Sequence, residues 1–217
     1  MRTQFHDRKD AGQQLAGRLS KYANRADVVV LGLPRGGVPV AYEVARQLRA
    51  PLEVFVVRKL GVPGHEELAM GAIASGGVRV LNGGVIESLQ IPDDVIEGVA
   101  KREQLELERR ERSYRDDRPA PAVQGRTVIV VDDGIATGST MSAAIEALRQ
   151  LEVAAVVVAT PTAALSTAQR LRPEVDEFVA VMTPADFSSV GEWYKDFAQT
   201  SDEEVRALLA QPSTTGR

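Results

Sequence analysis

Residues 128–140 read Val-Ile-Val-Val-Asp-Asp-Gly-Ile-Ala-Thr-Gly-Ser-Thr, and few folds accommodate that order. The segment opens as an unbroken β-branched run starting at Thr127, the pattern of a strand covered on both faces. Two acids, Asp132 and Asp133, stand at the strand's carboxyl end. A small-residue loop, Ala136-Thr137-Gly138-Ser139-Thr140, then runs straight into a helical pattern. A loop of Gly, Ser and Thr that opens a helix offers several backbone N–H groups and hydroxyls to one anion. Carboxylates facing such a cradle would repel a phosphate. They fit better as acceptors from a diol or as holders of a cation. A ribose 5-phosphate carries both ends, a phosphate for the loop and a 2,3-diol for the acids.

The rest of the chain supplies neighbours for that strand. Residues 27–33, 52–57, 154–159 and 178–182 are further apolar runs that read as buried strands. Helical spacing lies between them, in Ala41, Val44, Ala45 and Leu48, in Met141, Ala144, Ile145, Leu148 and Leu151, and around residues 165–171. Asp7 reads as the cap of a first helix with Leu15, Leu19 and Tyr22 on one face. Residues 61–77, rich in glycine and small side chains, read as a long loop with short structure inside, and 78–81 as a short edge strand. Residues 93–115 read as a long, charged helix with Glu106–Arg110 and Glu108–Arg112 at i,i+4, a solvated face rather than a partner surface. Residues 119–125 read as a linker, 202–210 as a short helix and 211–217 as a frayed end. Strands alternating with helices predict an α/β fold, a doubly wound and mainly parallel β-sheet flanked by helices.

In such sheets ligands bind outside the carboxyl ends of the strands. Three unusual segments are expected there: Pro34-Arg35-Gly36-Gly37, Arg58-Lys59, and residues 132–140. Two glycines beside an arginine let backbone approach a pyrophosphate closely, and Gly36 is expected in a conformation that other residues avoid. Taken alone, the first segment also reads as a tight turn with a surface arginine, and the second as a solvated strand edge. A Walker loop is excluded because no Gly-Lys-Ser/Thr is present, and Gly32, Gly36 and Gly37 have the wrong spacing for a dinucleotide fingerprint. There are no cysteines for disulfide or thiolate chemistry. His6 and His65 are isolated, which argues against a metal site built on histidine. A net charge of −4 with interleaved signs argues against a nucleic-acid partner. No apolar run approaches the ~20 residues of a membrane span, and residues 1–10 lack the apolar core of a signal peptide. A cytoplasmic location is the expectation.

Residues 128–140 resemble the phosphoribosyl pyrophosphate (PRPP) signature of the type I phosphoribosyltransferases: apolar strand, acid pair, then a small-Thr-Gly-x-Thr loop. The resemblance extends over the sheet, roughly residues 27–182. It implies a magnesium-dependent enzyme that moves the 5-phosphoribosyl group of PRPP to a small nitrogenous base and releases pyrophosphate. Asp132 and Asp133 would fix the ribose hydroxyls and hold Mg²⁺. Ala136, Thr137, Gly138, Ser139 and Thr140 would cradle the 5-phosphate. Arg35, Gly36 and Gly37 would hold the pyrophosphate, with Arg58 and Lys59 answering its charge as the C1–O bond breaks. The family carries a mobile lid at 61–77, where Glu66 or Glu67 would move a proton. It also carries a base-binding hood, here residues 1–10 and 183–210, in which Phe187 would stack on the base. Trp193, Tyr194, Phe5 and Arg8 belong to the same region. The whole chain, 1–217, then reads as one domain. Gly134 stands where the family usually has an apolar residue, which implies a looser turn. Ala136 stands where relatives acting on 6-oxopurines carry Asp, which brings the motif closer to adenine-type members. The expected partners are PRPP and the base, neither nucleic acid nor membrane, and a homodimer is admitted. The alternative is a non-catalytic PRPP- or nucleotide-sensing regulator on the same fold. A nucleotide hydrolase would need a positioned water and its base, and the sequence offers neither.

Overall fold

The computed structural model describes residues 4–115 and 121–211. The elements run α1 (Arg8–Arg18), β1 (Val28–Gly32), α2 (Gly37–Leu48), β2 (Leu52–Val54), β3 (Val57–Val62), β4 (His65–Ala74) and β5 (Val78–Leu81). They continue through α3 (Gly83–Leu89), α4 (Asp93–Arg115), β6 (Thr127–Val131), α5 (Ser139–Gln150), β7 (Ala155–Thr162), α6 (Leu165–Leu171), β8 (Glu177–Met182) and α7 (Asp202–Ala210).

Five strands form a parallel sheet in the order β2-β1-β6-β7-β8. Alternation along the strands sorts the side chains. Val29, Leu31, Val128 and Val130 join the core under α5 and α6, whereas Val28, Val30, Ile129 and Val131 join the core under α1 and α2. Burial on both faces explains why these strands are continuous apolar runs. The chain runs from β1 outward to β2, and from β6 the opposite way to β7 and β8. The order therefore reverses between β1 and β6, and a crevice opens at their carboxyl ends. This is the expected α/β architecture.

A second, antiparallel sheet, β3-β4-β5, lies outside that expectation. Residues 52–57 are not one strand. The chain leaves the parallel sheet after Val54, and Arg58 and Lys59 fall inside β3 instead of at a strand's carboxyl end. Phe55 N–H still donates to Gly32 C=O, and Ser75 Oγ accepts from Val56 N–H at 2.9 Å. Buried Arg115, at the end of α4, ties this junction down by donating to Val54 C=O and to Ser75 Oγ. Residues 61–77 are not a long loop either but most of a hairpin turning at Pro63-Gly64. Two of its glycines mark close strand approach. A Cβ on Gly71 would lie 2.4 Å from Val80 O, and one on Gly61 would lie 2.9 Å from Glu66 O.

The expected edge strand 78–81, and helices 93–115, 165–171 and 202–210, are present at those bounds. Helix α3 lies outside the expectation; it is short, and its Val85 and Ile86 are only partly buried against the core. Residues 121–125 of the expected linker are irregular; 119–120, and 212–217 of the frayed end, lie outside the described residues. The two flanks of the chain meet across the parallel sheet's crevice. Phe5 N–H donates to Trp193 C=O at 2.8 Å, and Lys195 N–H donates to Phe5 C=O at 2.9 Å. Among the described residues no helix is long and apolar enough to cross a membrane.

Candidate functional site

Asp132 and Asp133 emerge from β6 into the β1/β6 crevice. Asp132 Oδ1 accepts from the Asp133 N–H at 2.9 Å. Asp133 Oδ2 accepts from Arg8 Nε at 2.8 Å, and both side chains are nearly closed to solvent at 14% and 13% exposure. Burial pushes both carboxyls up. Asp132 stands well above the ordinary aspartate value, because the charge of Asp133 adds to its burial. At Asp133 the Arg8 guanidinium works against that rise. The Arg8 Nη1 donates to Ala198 C=O at 2.6 Å, and its guanidinium lies 4.0 Å from the centre of the Phe197 ring. Tyr194 Oη donates to Asp133 C=O at 2.5 Å. The acid pair is thus braced from both flanks of the chain.

Opposite the acids, residues 33–37 turn from β1 into α2, with a cis Pro34–Arg35 peptide. Gly36 has φ −61° and ψ −30°, ordinary right-handed values, so the expectation of an unusual conformation does not stand. The glycine is required by proximity. A Cβ on Gly36 would lie 2.0 Å from Asp133 Oδ2, and one on Gly37 would lie 2.6 Å from Val131 O. Gly134 has a similar cause. A Cβ there would lie 2.2 Å from Val190 Cγ1, so the turn after the acids is closely packed against the hood and not loosened.

The loop 136–140 is shaped from behind by α6. Thr167 Oγ1 donates to Ala136 C=O at 2.6 Å, and Arg170 Nη2 donates to Thr137 C=O at 2.8 Å. With those carbonyls drawn outward, the planar trans peptides aim the Thr137 and Gly138 N–H groups the other way. Gly138 is held at φ +73°, and a Cβ on it would strike Thr167 and Arg170. Thr137 and Ser139 hydroxyls are 3.2 Å apart. A recess of about 170 Å³ is lined by Asp132, Val190 and residues 134–141. A larger cavity, about 530 Å³, opens between α5 and the antiparallel sheet and shares Thr137 and Ser139 with it.

The remaining expected site residues separate. Lys59 reaches the loop, with Nζ 3.4 Å from Ser139 Oγ, and lines the larger cavity. Arg58, its neighbour on a strand, points the other way and donates to Glu103 of α4. Arg35 Nη1 lies 4.0 Å from Asp202, whose Oδ1 accepts from Tyr114 Oη at 2.8 Å. Glu66 and Glu67 begin β4, both exposed. Glu66 Oε1 accepts from Gly64 N–H at 3.3 Å, and backbone N–H groups hold its carboxyl below the usual value. Phe187 is stacked on Trp193, with centroids 6.0 Å apart. Sequence reasoning missed Thr167, Arg170 and Asp202 and placed Arg8 only in the hood. An arginine inside a helix carries no sign of which loop it will clamp.

The phosphoribosyl transferase domain family matches residues 1–185. A "Putative phosphoribosyl transferase" of Mycobacterium tuberculosis H37Rv is 49% identical over 205 residues, covering 94% of this chain and 46% of that protein. The chain therefore spans about half the length of the curated relatives it matches. Among solved structures, TT1426 from Thermus thermophilus superposes with a TM-score of 0.85 at 43% identity, over 95% of this chain and 98% of that one. A Neisseria gonorrhoeae protein with bound ppGpp shares the fold at a TM-score of 0.51 and 13% identity, over 96% and 98% of the two chains.

Proposed function

The chain belongs to the phosphoribosyl transferase domain family, and from that premise we propose that it transfers the 5-phosphoribosyl group of PRPP to a nitrogenous base with release of pyrophosphate. One observation carries the reading. At a single topological switch point the fold brings together an acid pair, a helix-opening hydroxyl loop and the Arg35-Gly36-Gly37 turn. Those three match the diol, the 5-phosphate and the pyrophosphate of one substrate.

In the proposed reaction a ring nitrogen of the base attacks C1 and the C1–O bond breaks. The bonding pair leaves with pyrophosphate, and the nitrogen's proton passes to a base. Arg35 and Lys59 would take the charge that develops on the leaving group. Arg58 is already answered by Glu103 and would act on α4 instead. Asp132 and Asp133 would hold the ribose hydroxyls. Ala136 has no group to move a proton. Glu66 is engaged with its own turn, so Glu67 is the candidate proton carrier when the lid closes. Phe187 would present its ring to the base. Positioning and charge stabilisation would supply most of the rate.

The acid pair fits Mg²⁺. Two buried carboxylates share one compensating guanidinium, Arg8, and hard oxygen donors suit that ion directly or through water. Bound there, Mg²⁺ would neutralise charge on the pyrophosphate. A cytoplasmic place in nucleotide salvage and a homodimeric state belong to the same proposal.

The experiment has two arms. Asp132→Asn with Asp133→Asn should abolish PRPP binding by calorimetry while the fold survives, since each lost charged acceptor is worth about 1.5–3 kcal/mol. Purines, pyrimidines and orotate, each with PRPP and Mg²⁺, should include one that drives pyrophosphate release. The alternative, a PRPP- or nucleotide-sensing regulator on the same fold, would use the same binding site without turnover. PRPP binding with no pyrophosphate release from any base would select it.

A further inference from the structure

Helix α7 lies beyond residues 1–185, the span the family model matches. It packs against α2 and α4. Its amino end is already provided for. Ser201 caps it by accepting from the Glu204 N–H at 3.1 Å, and Glu203 and Glu204 add negative charge to its first turn. Asp202 is therefore surplus to the helix, and its carboxylate is turned elsewhere. It accepts from Tyr114 Oη at 2.8 Å and stands 4.0 Å from Arg35 Nη1. Burial and the neighbouring Asp202 push the Tyr114 phenol up to about 12, which keeps it a donor. Tyr114 is itself buried on α4. A fixed hydroxyl thus tethers a carboxylate that faces the arginine of the turn opening α2.

We propose that Asp202 is the exchange partner of the leaving group, a carboxylate that competes with pyrophosphate for Arg35. In the ligand-free protein it lies 4.0 Å from the guanidinium, and it yields Arg35 when pyrophosphate arrives. When pyrophosphate departs, the carboxylate takes Arg35 back. This inference rests on the PRPP reading of the site. Two like charges compete for one guanidinium, and a carboxylate tethered in place is present at a high effective concentration. Asp202 and Arg35 are both part-exposed, at 43% and 39%, so the competition is modest and weakens with salt.

The test is calorimetry of magnesium pyrophosphate and of ribose 5-phosphate on the full chain. Asp202→Asn should bind pyrophosphate about two- to fivefold more tightly, the scale of one part-exposed ion pair, and ribose 5-phosphate as the parent does. Asp202→Glu should restore parental behaviour. The gain should shrink as ionic strength rises. In an Arg35→Ala background Asp202→Asn should change nothing, because the competition has lost its object. A purely structural role would instead lower the melting temperature and weaken both ligands together. Should Asp202→Asn fold poorly, Tyr114→Phe loosens the same tether and should shift pyrophosphate affinity the same way by a smaller factor. Parental or weaker pyrophosphate binding in both variants overturns the inference. A parent that binds ribose 5-phosphate but no pyrophosphate overturns it alone. A parent that binds neither overturns the PRPP reading as well.

Discussion

Gly36 and Asp133 approach so closely that a Cβ on the first would sit 2.0 Å from a carboxylate oxygen of the second. Gly36→Ala should push Asp133 off Arg8. The expected result is a loss of at least about tenfold in PRPP affinity and about 1–3 kcal/mol of stability, the range for overpacking a filled site. Gly17 is the control. It lies in α1 with nothing within 4 Å of a Cβ, so Gly17→Ala should stabilise by about 0.5–1 kcal/mol. Urea melts of the two variants should move in opposite directions.

Asp132→Asn should raise thermal stability in EDTA near pH 8 while destroying PRPP binding. Folding raises the Asp132 carboxyl above its ordinary value of 3.8 through burial and the charge of Asp133. The folded chain therefore binds that proton more tightly than the unfolded chain. The stabilisation is complete below the ordinary value and is lost as pH climbs through the raised one. Asparagine has nothing to ionise, so the variant's advantage in melting temperature should grow from about pH 4 upward. Melting curves that keep the same separation from about pH 4 to pH 8 would contradict this account of the burial.

The two anion pockets should separate by mutation. Thr137→Val removes a hydroxyl donor and should weaken ribose 5-phosphate and PRPP alike. Arg170→Met should do the same by about tenfold, because it frees the Thr137 carbonyl that turns the loop's N–H groups inward. Arg35→Ala should weaken pyrophosphate and PRPP and spare ribose 5-phosphate. Equal loss of all ligands in the three variants would mean one pocket, not two.

Glu66 and Glu67 should differ. Glu66 accepts from its own turn and is held low by backbone N–H groups, the wrong direction for a group that must take and give a proton near neutrality. Glu66→Gln should leave turnover within about threefold, while Glu67→Gln should cut it about a hundredfold, the scale of one acid–base step. Pyrophosphate release with the accepted base reads both. Point substitutions suit this better than deletion, because residues 65–67 open a strand whose pairing a deletion would shift.

The parallel sheet was legible because both its faces are buried, and two-sided burial writes itself as unbroken apolar runs such as 27–33. The antiparallel sheet was not. Gly61 and Gly71 serve close strand approach while Gly64, Gly76 and Gly77 turn the chain at positive φ, and in a sequence the two kinds look the same. At the site, the acid pair and the hydroxyl loop were readable because their chemistry is consecutive. Arg8, Arg170 and Asp202 act on partners 125, 33 and 167 residues away, and no local pattern records a contact of that span. Arg58 and Lys59 show the reverse failure. Adjacent in sequence, they were read as one patch, yet strand alternation sends one to Glu103 and the other to Ser139.

The pairing of Val28 with Thr127 also sets a timetable. In the chain the hairpin sheet and α4 come between β1 and β6, so until β6 is made the edge of β1 that it covers has no partner. An apolar strand in that state is a place where chains stick to one another. Once β6 arrives, that edge closes and the loop 136–140 can form behind it. Phe5 and Arg8 wait longer for two of their acceptors, because the Trp193 and Ala198 carbonyls follow β6 in the chain. Refolding followed by hydrogen exchange should therefore show the β1–β6 ladder protected before the Phe5 amide. Newly made chains should depend on chaperones most while that first strand is still unpartnered.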